Sequence, residues 1–248
     1  VKITVVTAWY NEAFLAPFFL GHYRFANEIL VIVDADTDDE TVEICSRYPN
    51  VKIDYFRYPN LFNCLQQSEN INKTVSGLKS DWVIYADADE LIFPMGNRDG
   101  WREALGQADG NLLYAWMWQV YRHINDKDLD SSSPAIWQRR HGDPNRTRGI
   151  NAMYRKPIIV KPEVGIEWVP GFHAYRKNLK IQVSETRFDG IHWQMADPDM
   201  AVQRRIKNQR DRQSKENLER RWAWQHHHIT ETDIRSECER HLHDPQLF

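Results

Sequence analysis

The apolar positions of this chain fall in short continuous runs over its first third and lose that regularity beyond Pro94. Lys2 to Ala8 is dense in Val, Ile and Thr, as expected of a strand buried on both faces. Asn11 stands where it can cap a helix. Leu15, Phe18, Phe19, Tyr23 and Ala26 then follow the i, i+3, i+4, i+7 spacing, with Pro17 in the first turn. Glu28 to Val33 is a second apolar run. It stops at Asp34, and Thr37 and Glu40 beyond it have the spacing of a capping box, opening a helix that turns Thr41, Ile44, Cys45 and Tyr48 inward. Val51 to Phe56 predicts a third strand, a helical stretch then carries Ile71, Val75 and Leu78 on one face, and Trp82 to Ala86 predicts a fourth. The order β-α-β-α-β-α-β implies a parallel sheet with helices on both sides.

Past Pro94 the pattern predicts a short helix from Trp101 to Ala108 and a strand over "LLYAWMWQVY" (112–121). Asp126 to Gly149 is polar and turn-rich, a long functional loop. "RKPIIVK", "GFHAYR" and "LKIQVSE" predict shorter strands. Asp197-Pro198-Asp199 is a helix start, and the helix is expected to run through the basic stretch towards Trp222. The expected fold class is α/β: a Rossmann-type, mainly parallel sheet flanked by helices, with a mixed second half and a C-terminal helix. Residues 1–95 and 96–248 form its two halves, within one domain.

Composition narrows the partners. With 42% hydrophobic and 27% charged residues in 248, the chain reads as globular. No apolar run approaches the ~20 residues that a membrane-spanning helix needs. The first residues already carry a strand pattern, so no leader segment is expected there. Cys45, Cys64 and Cys238 are odd in number and far apart, with no CxxC or Cys/His ligand spacing. Neither a disulfide framework nor a zinc site is favoured, and a reducing, cytoplasmic setting fits. A net charge of −3 excludes a protein built as a whole around nucleic-acid phosphates. The charge is nevertheless uneven, with Asp34 to Glu43 almost purely acidic and Arg204 to Arg221 mostly basic.

In an open parallel sheet, ligands bind beyond the carboxyl ends of the strands. "TAWYNE" (7–12), "DADTDDET" (34–41) and "DADE" (87–90) follow the first, second and fourth predicted strands, so three polar clusters should share one rim. Asp87 and Asp89 are close enough to reach one hard cation, and oxygen donors are what Mg²⁺ or Mn²⁺ prefers. A cation held by so few carboxylates stays open to a diphosphate. Acidic turns also end many strands without binding anything, so the motif alone does not decide.

The ordered series does more. "TAWYNE", "VIVDADTDDET" (31–41) and "DWVIYADADE" (81–90) together resemble the opening motifs of family-2-type glycosyltransferases with the GT-A fold, over about the first 95 residues. Asp36 and Glu40 stand where that family has glycine. The resemblance implies transfer of a sugar from a nucleotide diphosphate sugar, typically a UDP-sugar, to a glycan or lipid-linked glycan, with inversion and with Mn²⁺ or Mg²⁺ as cofactor. It places Thr7, Tyr10 and Glu12 near the nucleotide and Tyr10 against the base. Asp34 would accept a hydrogen bond from the base, Asp87 would lie near the ribose or metal, and Asp89 would bind the metal directly. A plain core aromatic at Tyr10, or a helix-end charge at Asp34, is the competing structural account.

Less of the second half is assigned. Asp143, Glu163, Glu167 and Asp189 are candidates to take the acceptor's proton. Glu167 in "GIEWVPGFH" is preferred. His173 in "GFH" and His192 in "GIHW" follow glycine-containing turns, where an imidazole can complete a metal site or serve as a structural loop residue; His173 is taken as the ligand. His226 to His228 read as a solvated surface cluster. The basic stretch from Arg204 to Arg221 can be a solvated helix face, a cover over the diphosphate, or a contact to an anionic membrane surface. Trp116, Trp118 and Trp193 could stack on sugar rings. Two other functions use the same carboxylates differently: a two-metal phosphodiesterase or nuclease, and a degenerate GT-A domain that only binds carbohydrate.

Overall fold

The computed structural model describes residues 1–59, 61–142, 155–223 and 226–247. Eight strands form one sheet in the order β3-β2-β1-β4-β7-β6-β8-β5. The first half builds one side of it. β1 (Ile3–Trp9), β2 (Glu28–Asp34), β3 (Val51–Phe56) and β4 (Trp82–Tyr85) pair in parallel, as the alternating pattern requires. α1 (Ala16–His22), α2 (Thr41–Ser46) and α3 (Cys64–Gly77) connect them. β1, buried along almost its whole length, lies between β2 and β4, which explains its unalternating apolar run.

The second half completes the sheet with mixed pairing. β7 (Arg155–Val160) joins β4 antiparallel, and β6 (Leu112–Tyr121) lies between β7 and β8 (Phe188–Met195). β5 (Glu90–Pro94) closes the far edge against β8. α4 (Trp101–Gly106), α5 (Pro198–Val202), α6 (Lys215–Glu219) and α7 (Glu231–Arg240) complete the helices. The fold class is α/β, as expected, with a buried core running across both halves of the sheet.

Several local expectations are corrected. Asn11 does not cap α1, which starts only at Ala16. Its backbone takes a left-handed φ of 51°, a conformation asparagine tolerates, and its side-chain amide donates to Asp38 Oδ1 at 2.6 Å. No capping box forms at Thr37 and Glu40. Asp39 takes that work, accepting from the Thr41 amide and hydroxyl, while its second oxygen accepts from the Ala13 amide at 3.0 Å. "GFHAYR" and "LKIQVSE" supply only isolated bridges, Trp168 with Tyr175 and Val183 with Leu112. Gly190, expected in a turn before His192, lies instead within a full strand, "FDGIHWQM" (188–195).

The expected long basic helix is also broken. α5 starts as predicted, with Asp197 capping and Pro198 in its first turn. From Gln203 to Gln209 the turns widen, the Arg210 amide reaching back five residues to the Arg205 carbonyl, and Arg210–Arg212 tightens again. Ser214 then caps the separate α6. Wide turns of this kind recur beside functional sites.

Candidate active site

The carboxyl ends of β1, β2 and β4 open into a cleft of about 1030 Å³. Tyr10, Glu12, Asp34, Asp87 and Asp89 all line it, so the three polar clusters do share a rim. The loops after β1 and β2 are tied together there. The Glu12 amide donates to Thr41 Oγ1 at 2.8 Å, and the Asp38 amide donates to Asn11 Oδ1 at 3.0 Å.

The opposite wall comes from the second half, and it is basic. Arg204 puts Nε and Nη2 on Glu12 at 2.9 Å each and Nη1 on Asp89 Oδ2 at 2.5 Å. Lys156 Nζ lies 2.8 Å from Asp87 Oδ2 and 2.5 Å from Glu90 Oε1. Arg212 Nη2 lies 2.6 Å from Asp34 Oδ2, with its guanidinium carbon 3.4 Å above the Tyr10 ring centre. Asn208, between the two arginines, donates to the Asn11 carbonyl at 2.9 Å.

These pairs set the charges. Burial alone would raise the Asp89 carboxyl, but Arg204 and His192 outweigh it and hold it well below the usual range. Burial likewise opposes ionisation of Asp87, yet Lys156, with the Tyr85 hydroxyl donating to Oδ1 at 2.8 Å, keeps it below its ordinary value. Glu90, fully buried, is pushed up by burial; its Oε2 accepts from the Asp87 amide at 3.1 Å and so shapes the turn.

Two further groups complete the cleft. His192, on β8, puts Nε2 3.3 Å from Asp89 Oδ2 and Nδ1 2.7 Å from the Gln119 amide oxygen. His173 is solvent-exposed on the wall, following Gly171 and Phe172, whose φ values of 87° and 61° are both left-handed. Such a conformation at a bulky residue is strained. Phe172 is held in it by stacking on Tyr85, ring centres 3.9 Å apart, and this turn projects His173 into the cleft.

Some expected residues lie elsewhere. Thr7 is fully buried within β1 and does not line the cleft. Glu167 is exposed outside the cleft, 3.5 Å from Arg176. Glu163 is exposed on another face, Asp189 faces Arg187 at 3.2 Å, and Asp143 lies outside the described residues. Trp193 is buried in the core against Phe18, whereas Trp116 lies under Arg155 and Arg187. His226, expected at the surface, is buried and lines the cleft, and burial with the nearby Arg205 and Arg204 lowers its imidazole to about 3.

Sequence reasoning offered the Arg204–Arg221 stretch as a cover over the diphosphate but missed Lys156 and the pairing of these cations with the rim carboxylates, although both left signals. Arg204, Asn208 and Arg212 recur every four residues, the spacing of one helix face. Lys156 precedes Ile158 and Val160 at strand period, so a charge stands on a core-facing row and needs a partner.

Mn²⁺ or Mg²⁺ takes oxygen donors in an open shell. Asp87 and Asp89 offer them, but each already bears a cation of the chain. Among the described residues, no group of three or more His, Cys, Asp or Glu is placed to hold a metal. As arranged, the residues do not fit a divalent ion.

Comparison with known proteins finds remote similarity. No family model matches the sequence, and no curated protein matches it. Among solved structures, S. aureus TarS 1-349 in complex with UDP is similar at 16% identity over 83% of this chain and 63% of that one, with a TM-score of 0.47. Glucosyl-3-phosphoglycerate synthase from Mycobacterium tuberculosis, in complex with Mn²⁺, UDP and phosphoglyceric acid, is similar at 13% identity over 48% and 43%, with a TM-score of 0.34. The chain spans less than two thirds of the length of TarS 1-349 and 38% of a longer TarS structure. Among the described residues, no helix is long and apolar enough to cross a membrane.

Proposed function

We propose that this chain is a glycosyltransferase that moves a sugar from a nucleotide diphosphate sugar, with a uridine nucleotide as the first candidate, to a hydroxyl of a glycan or lipid-linked glycan. One observation carries the reading: Tyr10, Asp34, Asp87 and Asp89, from three adjacent strand ends, line a single cleft large enough for a nucleotide sugar. An aromatic face beside a carboxylate acceptor orients a pyrimidine base, and the Tyr10–Asp34 pair offers both. Arg212 now covers that pair and must slide aside or sandwich the base against Tyr10.

Transfer with inversion, as the family resemblance implies, requires a group to take the acceptor's proton while the diphosphate leaves. His173, exposed on the wall and projected into the cleft by a strained turn, is better placed for this than Glu167. Tyr114, another cleft residue, over which Arg155 lies at 4.8 Å, is the candidate ring for the acceptor sugar. Flat, CH-rich sugar faces pack well on such rings.

Thermal denaturation with UDP, GDP, CDP and ADP tests the reading. One of them, UDP first, should raise the melting temperature, and Tyr10→Ala should weaken its binding by roughly tenfold, the loss of one stacked ring. Indifference to all four nucleotides would contradict it.

A further inference from the structure

The two carboxylates placed to receive a cation already have one each. Lys156 and Arg204 are both largely buried, with side-chain exposures of 5% and 8%, and both lie at hydrogen-bond distance from the D-x-D pair. Neither is a loose surface group leaning inward. Lys156 projects from a central strand between Asp87 and Glu90, and Arg204 is gripped on two edges by Glu12 and Asp89. A divalent ion on the same oxygens would sit beside an ammonium and a guanidinium, an arrangement of like charges that a buried site disfavours. Beside them stands Arg155, exposed on the cleft wall; it lies over Tyr114 and Trp116 and has no carboxylate partner among the described residues.

We propose that the chain's own cations, Lys156, Arg204 and Arg155, hold the donor's diphosphate and balance the charge it gains on leaving, so that the nucleotide binds without a divalent ion. This rests on the nucleotide-sugar reading above. Arg204 and Lys156 fix the acidic turn and offset part of its charge, which lowers the repulsion that a diphosphate meets there. Arg155 supplies a guanidinium fork matched to phosphate oxygens. Guanidinium and ammonium groups do the electrostatic work at a leaving phosphate that a metal does elsewhere.

Isothermal titration of UDP, GDP, CDP and ADP into the full chain, first in EDTA and then in excess MnCl₂, tests the proposal. The expected result is binding in EDTA, with a dissociation constant within about threefold of that in Mn²⁺. Arg155→Ala breaks no buried pair and should weaken binding in EDTA by about tenfold or more. Lys156→Met should do the same, and Lys156→Arg should restore most of it; a melting curve for each variant separates lost affinity from lost fold. Binding seen only with Mn²⁺ would overturn the proposal, as would wild-type affinity in both Arg155→Ala and a folded Lys156→Met. If no nucleotide binds in either buffer, the functional reading itself fails, an outcome distinct from a metal requirement.

Discussion

The two walls of the cleft are built from opposite chemistry and by opposite means. The rim at the ends of β1, β2 and β4 is acidic, and each of its residues stands at or within a few residues of the end of a regular strand in the first 90 positions. The facing wall is basic. It is assembled from a strand, a widened helix and a strained turn between Lys156 and His226, reaching the rim from as far as 198 residues away. The rim defines where a nucleotide can sit, while the wall decides what charge it meets there. An acidic strand end is therefore only half of a site, and its charge cannot be judged until the residues folded over it are known.

The largest way to break this pairing is to remove Arg204, which serves two buried carboxylates at once. Arg204→Met should cost about 3–5 kcal/mol in urea unfolding, the range for stranding buried charge. Adding Glu12→Gln should recover part of that loss, because burial already pushes the Glu12 carboxyl up to about 7 despite Arg204. A loss below about 1 kcal/mol would mean that the pair is not held as described.

Catalysis gives a second test. His173→Ala should lower transfer by roughly 10²–10⁴-fold with little change in UDP affinity, as for a general base. Glu167→Gln should leave turnover within about twofold, because that carboxylate is exposed and outside the cleft. The reverse pattern would return the base to Glu167.

Acid should weaken the basic wall in particular. His226 is buried near Arg204 and Arg205, which lowers its imidazole to about 3, whereas the unfolded chain takes up that proton near the ordinary 6.5. The unfolded state therefore binds more protons between these values, so stability should fall as pH drops from about 6.5 towards 3. His226→Gln should show a shallower decline, by on the order of 5 kcal/mol across that window. Parallel pH profiles of melting temperature would disprove the contribution.

The unequal legibility of the two walls has physical causes. Continuous apolar runs and short βα connections made the rim readable, because strand ends of one parallel sheet face one way. Asn11 was misread because an asparagine in the left-handed region serves a turn as well as a cap. β8 was misread because Gly190 looked like turn chemistry. It instead marks a close approach inside the sheet: a β-carbon there would meet Met117 Sδ at 2.4 Å, so that side chain would have to shift. The wall's cations announced themselves only as charges at core-facing periods. Which carboxylate each would meet depended on strand order, on pairings such as Lys156 with Ala115, and on the widened turns after Val202. None of these is a local property of the sequence.

A crystal structure of the chain with UDP in EDTA tests the two-wall account most directly. It should show the uracil against Tyr10 and Asp34, with Arg212 displaced or stacked, and the diphosphate within hydrogen-bond distance of Arg155 and the Lys156–Arg204 pair. A nucleotide bound away from this cleft, or a diphosphate that avoids the basic wall, would contradict it.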